Sequence, residues 1–392
     1  MSLNHAQTEA VAHNKGPCMV LAGPGSGKTL TIAKRIEYLI MKHKVRPEEI
    51  LVITFTKYAA WEMKNRTRSI CGPSSYAVTF GTFHGIYYGI LKWAYRLNQS
   101  NLLSDEEKYR ILREILPGID WDQEPEADEE KDYLQELAIE IGNVKNNCMD
   151  IEEYEPVKYT TEKFRKLYRT YEETKKKYRK IDFEDMLIQC RDLFMKRPDI
   201  LKKWQEKFQY ILVDEFQDVN QAQYDVVRML AAPQDNLFVV GDDDQSVYGF
   251  RGAKPGIMME FMKDYPKARQ ILLDVNYRSS GYIVKGALRV IENNKIRFEK
   301  KIEAFRKPDE TVHVQEVKDP VQEAEYVLER IREYREKGVS YTEMAVLYRT
   351  NVDARAMSEL MTEYQIPFVM KEHLNNIYEH FIALDMISYL RL

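Results

Sequence analysis

The sequence predicts an α/β protein with a parallel sheet, arranged around a phosphate-binding loop. Three observations carry this. A glycine-rich turn, Ala22-Gly23-Pro24-Gly25-Ser26-Gly27-Lys28-Thr29, sits between the apolar run Cys18 to Leu21 and the helical spacing of Thr31 to Met41. Further short apolar runs recur along the chain, and several end in polar or acidic residues. Stretches of helical periodicity separate these runs, as crossover connections of a parallel sheet require.

In the loop, glycines let backbone N–H groups turn inward around a phosphate, Lys28 can reach the β- and γ-phosphates, and Thr29 can hold Mg²⁺. Ala22 replaces the usual first glycine, a position that only starts the turn. Ile50 to Thr56 reads as a second buried strand whose end carries Thr54, Phe55 and Thr56. A third, Ala77 to Phe80, leads into Gly81-Thr82-Phe83-His84. Open α/β sheets bind ligands at the C-terminal ends of their strands, and an aromatic among hydroxyls there suits a stacked base and its phosphate. For Phe55 or Phe83 taken alone, a core aromatic is the plainer reading.

The bulk numbers exclude several classes. The 392 residues suggest two or three domains, and a net charge of -4 with 31% charged residues gives no general basic character, so any nucleic-acid surface is local. Four cysteines at 18, 71, 148 and 190 form no close pair, against a zinc site or disulfide framework and in favour of a reducing compartment. No apolar run approaches a membrane span and the N-terminus has no signal-peptide pattern, which together predict a cytoplasmic protein.

From about 86 to 185 the chain turns helical and densely charged. Asp120 to Asp132 reads as a solvated loop or helix start. Lys175-Lys176-Lys177-Tyr178-Arg179-Lys180 reads as a solvated helix face, or as a phosphate track. In Ile181-Asp182-Phe183-Glu184-Asp185, Asp182 suits a helix cap with acids in the first turn. The strand pattern then resumes. Tyr210 to Val213 ends in Asp214-Glu215-Phe216-Gln217-Asp218, where Asp214 suits Mg²⁺ and Glu215 suits activation of water. Leu237 to Val240 ends in Gly241-Asp242-Asp243-Asp244-Gln245, placing Gln245 as a neutral γ-phosphate sensor, and Tyr248, Phe250 and Arg251 follow as a base-stacking group. Ile271 to Asp274 precedes Asn276-Tyr277-Arg278-Ser279. Val312 to Val317 and Met344 to Leu347 read as strands opening a second α/β domain, and Ile382 to Leu392 as a helix.

This ordered set of motifs, spanning essentially the whole chain, resembles the superfamily 1A DNA helicases of the UvrD/Rep type. The resemblance implies a P-loop NTPase fold: a RecA-like motor domain over 1–85 and 186–275, a helical insertion over 86–185, and the first part of a second RecA-like domain over 276–392. It implies that Gln7 reads adenine, that the loop from Ala22, Gly23, Pro24, Gly25, Ser26 and Gly27 to Lys28 and Thr29 holds ATP with Mg²⁺, and that Tyr277 stacks on adenine. Gln245 and Arg278 would meet the γ-phosphate. Phe55, Thr82, His84, Tyr248 and Phe250 would meet single-stranded DNA, with duplex junctions as the wider partner. Asp182 to Asp185 matches a short acidic motif at the return to the first domain.

The chain departs from the family pattern at Leu30, where arginine is usual, at Lys57-Tyr58, where Asn-Lys is usual, and at Phe250, where tryptophan is usual. Motifs V and VI have no counterpart in these 392 residues. The resulting expectation is the N-terminal portion of an ATP-dependent 3′→5′ helicase that binds ATP-Mg²⁺, turns over slowly and does not unwind DNA alone. The alternative is a nucleotide-gated single-strand binding module without motor activity.

Overall fold

The computed structural model describes residues 3–119, 130–247, 253–254, 256–295, 297–307, 311–350, 352–370 and 381–391. The chain begins α1 (His5–Ala12), β1 (Cys18–Ala22), α2 (Lys28–Met41), β2 (Ile50–Thr54), α3 (Lys57–Cys71), β3 (Thr79–Thr82) and α4 (Phe83–Tyr95). Four further helices follow: α5 (Asp105–Ile115), α6 (Glu130–Asn146), α7 (Thr161–Lys177) and α8 (Phe183–Lys196). Then come α9 (Pro198–Lys207), β4 (Tyr210–Val213), α10 (Gln221–Ala231), β5 (Leu237–Gly241), α11 (Ile257–Asp264), β6 (Arg269–Leu273), β7 (Val275–Ser280), α12 (Gly281–Ile291) and β8 (Glu303–Arg306). The last three helices are α13 (Pro320–Glu336), α14 (Ala354–Glu363) and α15 (Phe381–Leu390).

Six strands form one sheet in the order β3-β2-β4-β5-β1-β6, with every neighbour parallel. The short apolar runs become strands because both faces are covered. Alternate residues such as Met19, Leu21, Leu51, Ile53, Ile211 and Val213 pack with Tyr87 of α4, Leu187 of α8 and Val227 of α10. The intervening residues Cys18, Val20, Ile50, Val52, Leu212 and Phe238 pack with Ile32, Ile36 and Leu39 of α2. A strand buried on both sides has no polar alternation, which is why these runs are continuously apolar.

A separate core, including Ile111, Leu112, Leu137, Ile141, Phe164, Leu167 and Tyr171, joins α5, α6 and α7. These helices meet the start of α8 through a buried ion cluster. Lys145 Nζ lies 2.8 Å from Asp182 Oδ2 and 2.7 Å from Asp185 Oδ1, while Lys175 Nζ lies 2.8 Å from Asp182 Oδ2 and 2.5 Å from Asp185 Oδ2. Asp182 also caps α8, in a reciprocal pair with Asp185. Burial by itself would raise the Asp182 carboxyl, but Lys145, Lys175 and Lys108 hold it well below the ordinary carboxylate range. The helix-cap reading of Asp182 therefore holds. Lys175, by contrast, is 1% exposed. It lies on neither a solvated face nor a phosphate track, because its ammonium is spent on this cluster, whereas Lys176 and Lys177 are exposed.

Chain contacts divide the protein into two units, Met1–Thr311 and Val312–Leu392. The division falls later than the boundary at 275/276 read from the sequence. Residues after 275 pack with the first unit: Tyr277 N donates to Gly25 O at 3.0 Å, and Lys300 pairs with Asp242. The parallel pair β7-β8 lies here as well. In the second unit, Leu328, Ile331, Met361 and Ile366 form a small core. Residues 312–317 and 344–347, expected as strands, are not strands among the described residues. Val314 and Leu347 are 93% and 94% exposed, so their apolar side chains have no covering layer, and strand backbone without a pairing neighbour is not stabilised.

Removing one member of the ion cluster leaves buried charge uncompensated. Lys175→Met is expected to cost about 3–5 kcal/mol in urea unfolding monitored by circular dichroism. The same change at exposed Lys176 should cost less than about 0.5 kcal/mol.

Candidate nucleotide site

The glycine-rich loop leaves β1 and ends at the first turn of α2, with Gly25 and Gly27 at φ of +67° and +84°. Both positions are also crowded. A Cβ on Gly25 would lie 2.6 Å from Arg278 Cβ and 2.7 Å from Asn276 Oδ1, and one on Gly27 would lie 2.9 Å from Gln7 Nε2. Left-handed backbone at these two positions is the conformation a phosphate-binding turn uses, and within the turn Ser26 N donates to Gly23 O at 3.3 Å. Ser26 Oγ donates to Gly23 O at 2.7 Å and Gln7 Nε2 to Ser26 O at 2.9 Å, which ties the loop to α1. Gln7 is held in turn by a reciprocal cap with Asn4, and Asn4 Nδ2 donates to Tyr277 Oη at 2.9 Å.

Lys28 opens α2 and its Nζ lies 2.7 Å from Glu215 Oε2. The acidic residues arrive on the adjoining strands. Asp214 follows β4, is buried, and accepts from Glu215 N at 3.0 Å. Glu215 itself sits at φ +50°, a left-handed backbone that a non-glycine residue adopts at a local energetic cost, as functional turns do. Gln217 spans the next gap: Nε2 donates to Glu215 Oε2 at 2.9 Å, and Oε1 accepts from Asp242 N at 3.0 Å. Gly241 is required for that approach, since a Cβ there would lie 2.7 Å from Gln217 Oε1. Gln245 Nε2 donates to Asp242 Oδ2 at 2.6 Å. Burial, reinforced by Glu215 and partly opposed by Lys28, raises the Asp214 carboxyl to about 7. Asp218 is raised to about 6 for the same reasons, and its Oδ1 is buried without a hydrogen-bond partner.

The structure thus gathers Gln7, Lys28, Asp214, Glu215, Gln245, Tyr277 and Arg278 around the loop from Ala22 to Thr29, with Thr29 in the first turn of α2. The residue types fit a magnesium nucleotide: a glycine turn, one lysine, a buried carboxyl at Asp214 and a hydroxyl at Thr29. Phe55, Thr82 and His84 lie apart from it, at the ends of β2 and β3, where Thr54 and Thr82 are register partners. Thr82 caps α4 and accepts from Gly85 N at 3.2 Å. His84 packs edge-on to Phe183 at 5.7 Å, and burial lowers its pKa against an opposing pull from Glu184, so its ring is neutral at pH 7. Phe83 is a core residue, as its plainer reading had it. Tyr248, Phe250 and Arg251 lie outside the described residues.

Several residues here were not found by sequence reasoning. Phe305 lies 5.1 Å from Tyr277, ring to ring, and Ile302 occupies the space a side chain at Gly23 would take. Lone apolar residues in a charged stretch give no sequence signal. Tyr58, noted from the sequence only as a departure from the family pattern, and Trp61 are 70% and 59% exposed on α3, with their rings 5.9 Å apart. Their i,i+3 spacing was a legible signal.

The UvrD/REP helicase N-terminal domain family matches residues 3–266, a span that holds the loop, both acidic turns and Gln245. The chain belongs to the UvrD/Rep helicase family. The UvrD-like helicase C-terminal domain family matches residues 271–392. Over 401 residues the chain is 38% identical to the putative ATP-dependent DNA helicase YjcD of Bacillus subtilis, covering 100% of this chain and 51% of that protein. It is 35% identical over 398 residues to the ATP-dependent DNA helicase PcrA of Staphylococcus aureus, covering 100% and 53%. The chain therefore spans about half the length of these relatives. Among the described residues no helix is long and apolar enough to cross a membrane.

The raised Asp214 carboxyl has a thermodynamic consequence for this helicase-family site. Between the ordinary value of 3.8 and about 7 the folded protein holds a proton that the unfolded chain releases, so stability from this group falls as pH rises through that window. Asp214→Asn removes the titration. In urea unfolding without divalent cation, the variant is expected to match wild type near pH 4 and exceed it by up to about 4 kcal/mol at pH 8. A difference independent of pH would contradict burial as the cause.

Proposed function

We propose that this chain carries the nucleotide-binding motor part of an ATP-dependent DNA helicase that translocates 3′→5′ on single-stranded DNA, with duplex junctions as its wider substrate. The observation that carries this is the Lys28–Glu215 contact at 2.7 Å, set between left-handed Gly25 and Gly27 and the hydrogen-bonded pair Gln217 and Gln245–Asp242. The family membership supports it. We propose the domain organisation 1–85 with 186–275 as the first motor domain, 86–185 as its helical insertion, and 276–392 as part of a second, of which 276–311 folds onto the first.

In this mechanism Lys28 and Glu215 hold each other in the nucleotide-free site. When the triphosphate arrives, Lys28 turns to its β- and γ-oxygens and Glu215 is released to accept a proton from the attacking water. Gln217 keeps the Glu215 carboxylate oriented as it changes partner. Thr29 and Asp214 would hold Mg²⁺, which supplies neutralisation of phosphate charge. Gln245 and Arg278 donate to the γ-phosphate, and Gln7 and Tyr277 receive adenine. Phe55, Thr82 and His84 sit at the adjacent strand ends, where a single strand is stacked and held by its phosphates; because His84 is neutral, it serves by stacking or hydrogen bonding rather than charge.

Binding of Mg-ATP to the 392-residue chain, followed by fluorescent-nucleotide displacement, is expected to survive Glu215→Gln and to weaken at least about tenfold in Lys28→Ala. Glu215→Gln should lower hydrolysis by about 10²–10⁴ relative to whatever rate wild type sustains. Phe55→Ala should weaken single-stranded oligonucleotide binding, read by anisotropy, by about 1–3 kcal/mol. Tight oligonucleotide binding gated by ATP but without hydrolysis above the Glu215→Gln blank would favour a binding module over a motor.

A further inference from the structure

Residues 297–306 form a strap that touches three parts of the candidate site. Arg297 donates twice to Asp244, at 2.8 and 2.7 Å, and Phe298 N donates to Asp243 Oδ2 at 2.7 Å. The Lys300 side chain is 0% exposed, and its Nζ lies 2.5 Å from Asp242 Oδ1, 2.5 Å from Asp243 Oδ1 and 2.7 Å from Asp244 Oδ2. An ammonium has three protons, and three carboxylate oxygens take them. Ile302 and Phe305, farther along, reach the Gly23 turn and the Tyr277 ring.

The three aspartates are close enough to gather a cation, and Lys300 is the cation they hold. The arrangement at Asp242 is specific. Its Oδ1 accepts from Lys300 and its Oδ2 accepts from Gln245 Nε2 at 2.6 Å, so one carboxylate is shared between the buried lysine and the amide. A side-chain amide has two N–H donors. With one held by Asp242, the other has a fixed direction in which to meet an incoming oxygen.

Resting on the nucleotide-site reading above, we propose that Lys300 is a positioning residue for the γ-phosphate sensor, acting through Asp242 to orient Gln245. Two effects follow from losing its ammonium. Asp242 is freed to rotate, which unfixes the Gln245 amide, and the acidic turn gains uncompensated negative charge beside the place where a γ-phosphate would sit. Both effects fall on the γ-phosphate and spare the adenosine and β-phosphate contacts of Gln7, Tyr277 and Lys28. The strap thereby makes discrimination between ATP and ADP depend on a segment far beyond Gln245 in the chain.

The test is the ratio of Mg-ATP to Mg-ADP affinity, by displacement of a fluorescent nucleotide from the 392-residue chain. Lys300→Met is expected to weaken Mg-ATP about tenfold while Mg-ADP stays within about twofold, and Lys300→Arg is expected to restore the ratio. The charge-balanced double variant Lys300→Met with Asp243→Asn should lose the ratio as well, and it serves if the single variant does not fold. Equal weakening of both nucleotides, or an unchanged ratio in both Met variants, would overturn the proposal by leaving Lys300 a purely structural ion. Failure of wild type to bind either nucleotide would instead sink the nucleotide-site reading, and this inference with it.

Discussion

Every strand of the main sheet runs parallel to its neighbours, so all six deliver their C-terminal ends to one edge. That constraint explains why residues scattered from 22 to 278 lie along one edge of the sheet. The loop after β1 supplies the glycine cradle, the turn after β4 supplies Asp214 and Glu215, and the turn after β5 supplies Asp242 and Gln245. The ends of β2 and β3 supply Phe55, Thr82 and His84, and the chain leaving β6 brings Tyr277 and Arg278. A parallel sheet must be covered on both faces, and the two alternating sets of apolar residues meet that requirement with helices. The strand ends are what remain open for chemistry.

Paired charge then fixes how these pieces hold together. Around the loop, Lys28 is matched to Glu215; in the turn after β5, Lys300 is matched to three aspartates; at the return from the helical insertion, Lys145 and Lys175 are matched to Asp182 and Asp185. Each pairing joins segments far apart in sequence or on different helices, and burial makes the Lys300 and the Lys145–Lys175 clusters intolerant of a missing partner, whereas Lys28 and Glu215 are only partly buried. Such contacts specify arrangement more than they add stability. Under the proposed function, two of the three would lie where a bound phosphate changes the local charge.

Much of the candidate site could be assembled from the sequence because the chemistry proposed for it uses distinctive local patterns. A glycine-rich turn between strand and helix, an acid pair at a strand end and a glutamine after an acidic turn are short motifs, and the contacts of Lys28, Asp214, Glu215 and Gln245 fall where those motifs place them. The strands β1, β2, β4 and β5 of the main sheet were legible for a related reason: a strand buried on both faces is continuously apolar. Residues 344–347 carry a similar apolar run and residues 312–317 alternate valine with polar residues, yet neither forms a strand, because pairing partners, which a run of side chains does not encode, decide whether extended backbone is stabilised. Lys175 misled for the opposite reason, since one lysine of a basic run looks like the next until its neighbours in space are known.

By itself, then, the sequence determined the fold class and the family, and it singled out the residues to which the proposed function assigns phosphate chemistry, because those properties live within windows of a few residues. Tertiary structure alone decided that Lys300 belongs to the Gln245 turn, that Phe305 stands beside Tyr277, and that Lys175 is buried. Those assignments depend on which distant segments the packing brings within hydrogen-bond or van der Waals range. Coulomb and dispersion forces act over a few ångströms of space, whatever the separation along the chain.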